Sequence, residues 1–368
     1  MKNTVISIVG ARPQFIKAAV VSRKFSALKV NHLLVHTGQH YDFNMSEIFF
    51  QELDIADPDF HLGVGSGEHG EQTGRMLAEI EKVLRAEQPS LVIVYGDTNT
   101  TLAGALASVK LKIPVAHVEA GLRSNKRYMP EEINRVVTDH VSELLFAPTD
   151  TAVKNLEKES IIENVYNTGD VMFDIAQQIE KKVRPREQSI LLKFKLEHKN
   201  YVLATIHRED NTNIEMNLRS IIEALQQVAQ DGRKIFFPAH PRTKKYIQKY
   251  GYSQPVFNDN FILSDPVSYS EMIILEKNAR VILTDSGGVQ KEAYFFKTPA
   301  VIPRDETEWV EIVTAGWNIV TGADTQKIRE GIERLWRESH MMNWQSFYGD
   351  GDASGKIGRI VKGYITSD

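Results

Sequence analysis

The stretch RVILTDSGGVQKEA, residues 280–293, decides the fold because it joins a strand, a tight turn and a helix. Its apolar, β-branched beginning predicts a buried parallel strand, and the segment after the glycines predicts a helix. Between them, Ser286, Gly287 and Gly288 can present backbone N–H groups and the positive end of a helix dipole to a phosphate. A plain turn with Asp285 or Ser286 as helix cap is the alternative. Such a strand–turn–helix unit is typical of doubly wound α/β domains.

Apolar strand patterns alternate with amphipathic helical patterns along the whole chain. In the first half, the predicted parallel strands lie in TVISIVG, HLLVHTG, LVIVYGD, PVAHVEA, LLFAPT and VYNTGD. In the second half, they lie in YVLATIH, KIFFPAH, NFILSD, RVILTDSGG and PAVIPRD. Between the halves, the charged segment KKVRPREQ, residues 181–188, lacks apolar periodicity and is predicted to be a linker.

We therefore predict an α/β protein of the GT-B fold, in which two Rossmann-like doubly wound domains face a central cleft. The first domain comprises residues 1–180 and the second comprises residues 189–368. An arrangement in which the last helix crosses back to the first domain stays open. Ligands are expected at the carboxyl ends of the strands, where open α/β sheets bind them.

Composition excludes several classes of function. A chain of 368 residues suits two domains, and a net charge of −4 argues against a general nucleic-acid binder. There is no cysteine, which excludes disulfides, thiolate zinc sites and iron–sulfur clusters. The histidines lack metal-binding spacing, and no apolar run is long enough to span a membrane. These features predict a soluble cytoplasmic enzyme with neither a metal nor a nucleic-acid or membrane partner.

The glycine-rich loop GSGEHG, residues 65–70, matches the G-x-G-x-x-G pattern of dinucleotide binding. Three observations argue against NAD. The first strand is followed by ARPQF instead of glycines, and Glu68 and Glu71 place negative charge where a pyrophosphate would bind. The acidic residue expected about 20 residues later is missing. We expect no cofactor and interpret the loop as a mobile segment over the cleft.

Cationic side chains follow strands in both halves. In GARPQFIK, Arg12 can bind a substrate phosphate with a fork of donors and Lys17 can add a point charge, although a solvated helix start is the alternative. In ATIHRED, His207 and Arg208 follow a strand and suit an anionic oxygen. These residues predict a site for an anionic substrate.

Carboxylates follow three separate elements of the first half. Asp97 ends the apolar strand of LVIVYGD, where it either faces the cleft or caps the next helix. Glu119 follows the strand of PVAHVEA, and glutamate is a poor cap. Glu131 and Glu132 begin a helix in PEEINR, and one of them can be purely structural because carboxylates stabilise a helix N-terminus. Such a set suits proton transfer.

Together these segments resemble the non-hydrolysing UDP-N-acetylglucosamine 2-epimerases along nearly the whole chain. The matching motifs, in this order, are GARPQFIK, YGDTNTTLAG, PVAHVEAGLRS, PEEINR, TGD, HRED, LTDSGGVQKEA and RDETE. The resemblance implies a GT-B homodimer that interconverts UDP-GlcNAc and UDP-ManNAc without NAD, for the supply of surface polysaccharide precursors. It also implies a reaction in which UDP and the C2 proton leave to give a 2-acetamidoglucal, and UDP then adds back.

The resemblance also implies roles for particular residues. Those matching the family's catalytic positions are Asp97, Glu119, Glu131 and His207, with the carboxylate for each face of C2 left open. Those matching its substrate-binding positions are Arg12, Lys17, Ser286, Gly287, Gly288 and Glu292, of which the three in the glycine turn bind phosphate and Glu292 binds the ribose.

Two departures from the family pattern bear on specificity and regulation. Trp309, in TEWVE, replaces an arginine of the family's TERPE segment. This replacement favours UDP-2,3-diacetamido-2,3-dideoxyglucuronate as an alternative substrate. QHYDF at residues 39–43 differs from the QHRQM of substrate-activated members, so activation by UDP-GlcNAc is not expected. A GT-B glycosyltransferase, a hydrolysing epimerase and a non-catalytic UDP-sugar sensor are the remaining alternatives.

Overall fold

A computed structural model describes residues 3–38, 57–124, 128–251 and 259–367, apart from the side chains of Arg12 and His340. The chain forms two compact units. The first unit comprises Met1–Gln177 and Ser346–Asp368, and the second unit comprises Gln178–Gln345. Within the described ranges, no helix is both long and apolar enough to cross a membrane, and no group of three or more acidic or histidine side chains is placed to hold a metal ion.

Each unit is built on one parallel sheet. The described strands of the first unit form a seven-stranded sheet in the order β3-β2-β1-β4-β5-β6-β7, and those of the second form a six-stranded sheet in the order β10-β9-β8-β11-β12-β13. The first sheet contains β1 Thr4–Val9, β2 Asn31–His36, β3 Phe60–His61, β4 Leu91–Tyr95, β5 Val115–Val118, β6 Leu144–Ala147 and β7 Val165–Asn167. The second contains β8 Tyr201–Thr205, β9 Lys234–Pro238, β10 Phe261–Ser264, β11 Val281–Thr284, β12 Ala300–Ile302 and β13 Asn318–Val320.

Helices connect the strands in both units. In chain order they are α1 Arg12–Leu28, α2 His69–Glu87, α3 Asn99–Lys110, α4 Pro130–Val141, α5 Asp150–Lys158, α6 Val171–Val183, α7 Glu187–Lys193, α8 Glu209–Thr212, α9 Glu215–Gln230, α10 Pro241–Lys249, α11 Tyr269–Asn278, α12 Gly287–Phe295, α13 Val310–Thr314, α14 Thr325–Glu338 and α15 Ala353–Thr366. Short 3₁₀ turns lie at Arg184–Arg186 and Ser339–Met341. The predicted fold class, an α/β protein with two Rossmann-like doubly wound domains of the GT-B type, is confirmed.

The central strands are apolar along their whole length because helices cover both faces of a parallel sheet. All residues of β4 and β11, for example, are buried. Helix α3 approaches the first sheet closely at Gly104, where an added Cβ would lie 3.0 Å from Val94 and 3.2 Å from Ile8. This close packing keeps the residues between β4 and α3 at the carboxyl end of β4.

The segment predicted as a linker, residues 181–188, is helical. It contains the end of α6, the 3₁₀ turn Arg184–Arg186 and the start of α7. The boundary between the compact units, after Gln177, lies inside α6. A solvated helix needs no apolar stripe when charged pairs support it, and here Arg184 binds Glu180 one turn earlier at 2.7 Å.

The last helix belongs to the first unit, so the second unit ends at Gln345 instead of extending to residue 368. Helix α15 packs against α1, where a Cβ added at Gly358 would lie 2.9 Å from Leu28. Asp352, just before α15, binds Lys24 of α1 at 3.1 Å. The helical pattern of the final residues is visible in the sequence, but its packing partner lies more than three hundred residues away.

Candidate active site

Adjacent strands β1, β4 and β5 bring several of the predicted residues to one edge of the first sheet. Glu119, just after β5, forms an ion pair with Lys17 of α1. Both side chains are largely buried, at 12% and 9% exposure, so the pair is partly shielded from water. Gly96, after β4, faces this pair: an added Cβ would lie 3.4 Å from the Glu119 carboxylate. Lys17 therefore balances the charge of a candidate base.

The backbone of Glu119 is in the left-handed region, with φ of 79°. This conformation is uncommon for a residue with a side chain, and strained backbone of this kind clusters at functional sites. The amide of Glu119 donates to the Phe146 carbonyl on neighbouring strand β6 at 3.1 Å. The strained geometry is thus held by the sheet, and it turns the side chain toward Lys17.

Asp97 pairs with an arginine that the sequence analysis did not single out. Its carboxylate binds Arg135 of α4, which also binds Glu132 at 2.9 Å. Burial alone would lower the pKa of Arg135, but Asp97 and Glu132 outweigh it and raise the pKa above its ordinary value. Thr98, and not Asp97, caps α3, because its side chain accepts from the Thr101 amide. Asp97 is therefore available for another role.

The two glutamates that begin α4 differ in their environments. Glu132 is buried and accepts hydrogen bonds from the amide and hydroxyl of Ser124, each at 2.9 Å. Glu131 is exposed, and it makes no hydrogen bond or ion pair with the residues that the structure describes. Glu132 is thus the structural member of the pair, and Glu131 is the one with an open carboxylate.

A buried network holds the segments after β4 and β5 in place. His117 of β5 contacts Asp139 at 2.6 Å through Nδ1, and its Nε2 faces the Gly96 carbonyl at 2.7 Å. Asp139 also accepts from the Gly121 amide at 3.0 Å and from Arg123 at 2.7 Å. Burial would raise the pKa of Asp139, but His117 and Arg123 hold it below its ordinary value. The network orients both Gly96 and the turn after Glu119.

The turn between β1 and α1 is shaped by Gln14. Its side-chain oxygen accepts from the amides of Gly10 and Ala11 at 2.8 and 3.0 Å, and its nitrogen donates to the Tyr95 carbonyl at 2.7 Å. These two amides are therefore occupied and do not form an open phosphate loop. Arg12 is the first residue of α1, but its side chain lies outside the described part of the structure.

The GSGEHG segment, residues 65–70, runs into α2, which begins at His69, and polar side chains connect it to the residues that follow β4. Gln72 donates to the Gly65 carbonyl at 2.8 Å and accepts from Asn99 at 2.9 Å. Glu68 occupies the position before α2, where it puts negative charge at the helix start, as the sequence indicated. Mobility of this loop stays a prediction. The QHYDF segment, residues 39–43, lies outside the described residues.

In the second unit, strands β8 and β11 bring the HRED and TDSGG motifs together. Asp285, after β11, is fully buried and accepts hydrogen bonds from the amides of His207 and Arg208, at 3.1 and 3.0 Å. It also accepts from the Asn211 side chain at 3.1 Å, and its Oδ1 lies 3.2 Å from His207 Nδ1. Asp285 therefore holds the His207 segment, a role that the local sequence pattern does not predict.

The glycine turn combines a helix cap with open amides. Ser286 caps α12, because its hydroxyl accepts from the Val289 amide at 3.4 Å. The Gly287 and Gly288 amides have no acceptor among the described residues, as expected for the first turn of a helix. These amides, at the positive end of α12, can bind an anionic oxygen.

The Trp309 side chain packs against this turn and hydrogen-bonds to it. Its indole N–H donates to the Gly287 carbonyl at 2.9 Å, and the Lys291 ammonium lies 4.4 Å from its ring centroid. Trp309 is only 8% exposed, so its ring is buried against the turn. Nearby, Arg304 binds Glu308 through two contacts of 3.0 and 3.1 Å. Trp309 thus fixes the backbone of Gly287 through its hydrogen bond, whereas an arginine at position 309 would add a positive charge.

Glu292 lies on the buried face of α12 and accepts a hydrogen bond from the Tyr269 hydroxyl. A second buried carboxyl, Glu276 of α11, interacts with it electrostatically. Glu276 is fully buried, and neither of its carboxyl oxygens has a hydrogen-bond partner among the described residues. Burial and the charge of Glu292 raise the pKa of Glu276 well above its ordinary value.

Comparison with known proteins gives one consistent family. A family profile described as UDP-N-acetylglucosamine 2-epimerase matches residues 24–362. A UDP-N-acetylglucosamine 2-epimerase homolog from Methanococcus maripaludis is 51% identical, with 97% of this chain and 99% of the relative aligned. The UDP-2,3-diacetamido-2,3-dideoxy-D-glucuronate 2-epimerase of Pseudomonas aeruginosa is 46% identical, with the same shares aligned.

A solved structure extends the similarity to the fold. The crystal structure of Methanocaldococcus jannaschii UDP-GlcNAc 2-epimerase in complex with UDP-GlcNAc and UDP is 42% identical to this chain, with a TM-score of 0.83. The similarity covers 98% of this chain and 99% of that one. The resemblance drawn from the motifs is thereby confirmed, and the chain belongs to the UDP-N-acetylglucosamine 2-epimerase family of isomerases.

Proposed function

We propose that this protein epimerises a UDP-N-acetylhexosamine at C2, converting UDP-GlcNAc to UDP-ManNAc without a cofactor. The observation that carries the proposal is the placement of Asp97 and Glu119 after adjacent strands, each paired with a cation. Two carboxyl groups at the carboxyl ends of adjacent strands suit the removal and return of a proton. Membership of the epimerase family supports the reaction class.

The first half of the proposed reaction is an elimination. A carboxylate takes the proton from C2, the electron pair of the C2–H bond forms the C1=C2 double bond, and the C1–O bond breaks. The electrons of that bond leave with the UDP oxygen, which gives 2-acetamidoglucal and UDP. In the second half, a carboxylic acid on the opposite face protonates C2 while a UDP oxygen attacks C1. No net oxidation occurs, so no redox cofactor is needed.

The first unit supplies the proton-transfer groups of this proposal. Asp97, Glu119 and Glu131 are the candidate acids and bases, and the one that serves each face of C2 stays open. Lys17 balances the charge of Glu119 while that carboxyl group is ionised. Arg135 does the same for Asp97. Each candidate thus has a distinct electrostatic setting, which is how two carboxyl groups take opposite roles.

The second unit supplies the nucleotide-binding groups. The Gly287 and Gly288 amides and His207 stabilise the negative charge that develops on the departing diphosphate, as donors aimed at developing charge do. Ser286 caps the same helix, and Glu292 accepts from the ribose hydroxyls. Arg12, which lies in the first unit, is the cation proposed for the diphosphate. We also propose, from the family resemblance, a cytoplasmic homodimer that supplies surface polysaccharide precursors.

Proton NMR of the purified protein with UDP-GlcNAc in D₂O, without NAD, tests the proposal. We expect UDP-ManNAc with deuterium at C2, because the carboxylic acid that protonates C2 on the opposite face carries a deuteron from the solvent. Stoichiometric UDP with free ManNAc would instead identify a hydrolysing epimerase. Transfer of the sugar to an added acceptor, without epimerisation, would favour a glycosyltransferase.

The sugar specificity has a second candidate, UDP-2,3-diacetamido-2,3-dideoxyglucuronate. The relative from Pseudomonas aeruginosa, named for that substrate, is 46% identical, whereas the Methanocaldococcus jannaschii enzyme is 42% identical. Overall identity therefore does not separate the two sugars, and Trp309 is a local difference from the TERPE pattern. The same NMR experiment with the diacetamido-uronate nucleotide decides between them by comparing rates of C2 exchange.

A further inference from the structure

We propose that Asp285 is a positioning residue that fixes the orientation and tautomer of His207. The inference rests on the proposed function, in which His207 faces the departing diphosphate. It goes further because it names the group that prepares the imidazole for that role. A base or acid oriented by a third side chain is a recurring arrangement in enzymes.

The geometry places the Asp285 carboxylate directly against the imidazole. Strands β8 and β11 pair in parallel, with Thr205 opposite Thr284, so the residues that follow them emerge side by side. Oδ1 of Asp285 lies 3.2 Å from His207 Nδ1 and 3.1 Å from the His207 amide. Oδ2 accepts from the Arg208 amide at 3.0 Å and from Asn211 at 3.1 Å. Both oxygens are therefore held in defined positions.

Asp285 is buried but ionised. Its side chain is fully shielded from solvent. Burial alone would raise its pKa, but the contacts with His207, Asn211 and the Arg208 amide hold the pKa below its ordinary value. An ionised carboxylate only accepts hydrogen bonds. The imidazole nitrogen facing it must therefore carry a proton.

This arrangement selects one tautomer of the neutral ring. With the proton on Nδ1, the lone pair lies on Nε2, and the protonated ring donates from Nε2 while it keeps its contact with Asp285. The His207 side chain is 51% exposed, and Nε2 has no hydrogen-bond partner among the described residues. Nε2 is thus the nitrogen available to a diphosphate oxygen, in the proposed reaction.

The variant Asp285→Asn distinguishes control of the His207 tautomer from mere support of the loop that contains His207. Its amide oxygen can take the place of Oδ2, which accepts from the backbone amides of His207 and Arg208 and from the Asn211 side chain, and so preserve the loop. Its NH₂ group then faces His207 Nδ1. A donor at this position requires Nδ1 to accept, which moves the proton of the neutral ring to Nε2.

Nitrogen-15 NMR of histidine-labelled protein, without ligand and with the rings neutral, measures the tautomer directly. The His207 signals are assigned by their loss in His207→Gln. We expect the Nδ1–H tautomer in the wild type and the Nε2–H tautomer in Asp285→Asn, together with a roughly 10- to 100-fold lower kcat. His198, whose Nδ1 lies 2.6 Å from Asn278 in the same unit, serves as a control whose tautomer should not change.

An Nε2–H tautomer in the wild type, or an unchanged tautomer in Asp285→Asn, would overturn the assignment. If the variant does not fold, the tautomer of His207 in the wild-type spectrum decides whether the assignment holds. The spectra do not depend on turnover. A protein that shows the expected tautomers but no exchange at C2 would thus contradict the proposed function and leave the positioning role of Asp285 intact.

Discussion

Replacing the buried carboxyl group of Glu276 by an amide should stabilise the protein by an amount that grows with pH. Glu276 is fully buried, and burial and the charge of Glu292 raise its pKa well above the ordinary value of 4.5. The folded protein therefore keeps this group un-ionised at pH values where the unfolded chain has released the proton. Folding then takes up a proton, so the free energy of unfolding falls as pH rises from about 4.5 toward the raised pKa.

The expected magnitude follows from one proton. A difference of one bound proton changes the free energy of unfolding by about 1.4 kcal/mol per pH unit. The advantage of Glu276→Gln, which cannot ionise, should widen by up to that amount per pH unit between about 4.5 and the raised pKa of Glu276. For a unit of this size it corresponds to roughly 3–5 °C in Tm per pH unit. Glu276→Met also removes the unpaired polar group, which should add about 1–3 kcal/mol.

Thermal unfolding measured at several pH values between mildly acidic and mildly alkaline buffer tests this prediction. Glu330→Gln is the matched control, because Glu330 is exposed on α14 in the same unit and binds Gln326 at 2.7 Å. Its Tm should follow that of the wild type at every pH. If the Tm of Glu276→Gln also ran parallel to that of the wild type, the buried carboxyl group would not be held un-ionised and the reasoning would fail.

Three further predictions concern the candidate site. Amide replacements of Asp97, Glu119 and Glu131, made one at a time, should slow C2 exchange by roughly 10²–10⁴-fold, as loss of an acid or base does; NMR in D₂O measures it, and near-normal rates in all three would remove the carboxylate mechanism. Glu132→Gln should instead lower the free energy of unfolding by about 1–3 kcal/mol, because Glu132 is buried and its half-buried partners Ser124 and Arg135 lose a carboxylate acceptor; an unchanged denaturation midpoint would contradict this. Glu292→Ala should weaken UDP binding in calorimetry more than it slows turnover at saturation, and an unaltered Kd would exclude a contact with the ribose.

Much of the fold could be predicted from the sequence, because its signals are local. A parallel strand buried on both faces requires a continuous apolar run, and LVIVY and VILT show this at β4 and β11. Glycine turns followed by helices are equally local. The alternation of these patterns was sufficient to predict two doubly wound domains, and the order of the motifs was sufficient to identify the family.

Local patterns did not predict the partners of the site residues. Lys17 of α1 and Glu119 after β5 are 102 positions apart, and His207 and Asp285, which follow the neighbouring strands β8 and β11, are 78 apart, yet each pair meets in space. The pairing depends on strand order, which single elements do not encode. The same limit applied to Arg135, whose side chain looks like an ordinary helix surface residue until α4 packs beside Asp97.

The sequence by itself therefore determined which segments become strands, which turns hold glycines and which chemical groups follow them. Only the tertiary structure decided the electrostatic setting of those groups. Glu132 is buried while Glu131 is exposed, and Glu276, which interacts with Glu292, has no hydrogen-bond partner among the residues that the structure describes. The physical reason is that backbone propensity acts over a few residues, whereas burial and charge pairing act through space and depend on the packing of elements distant along the chain.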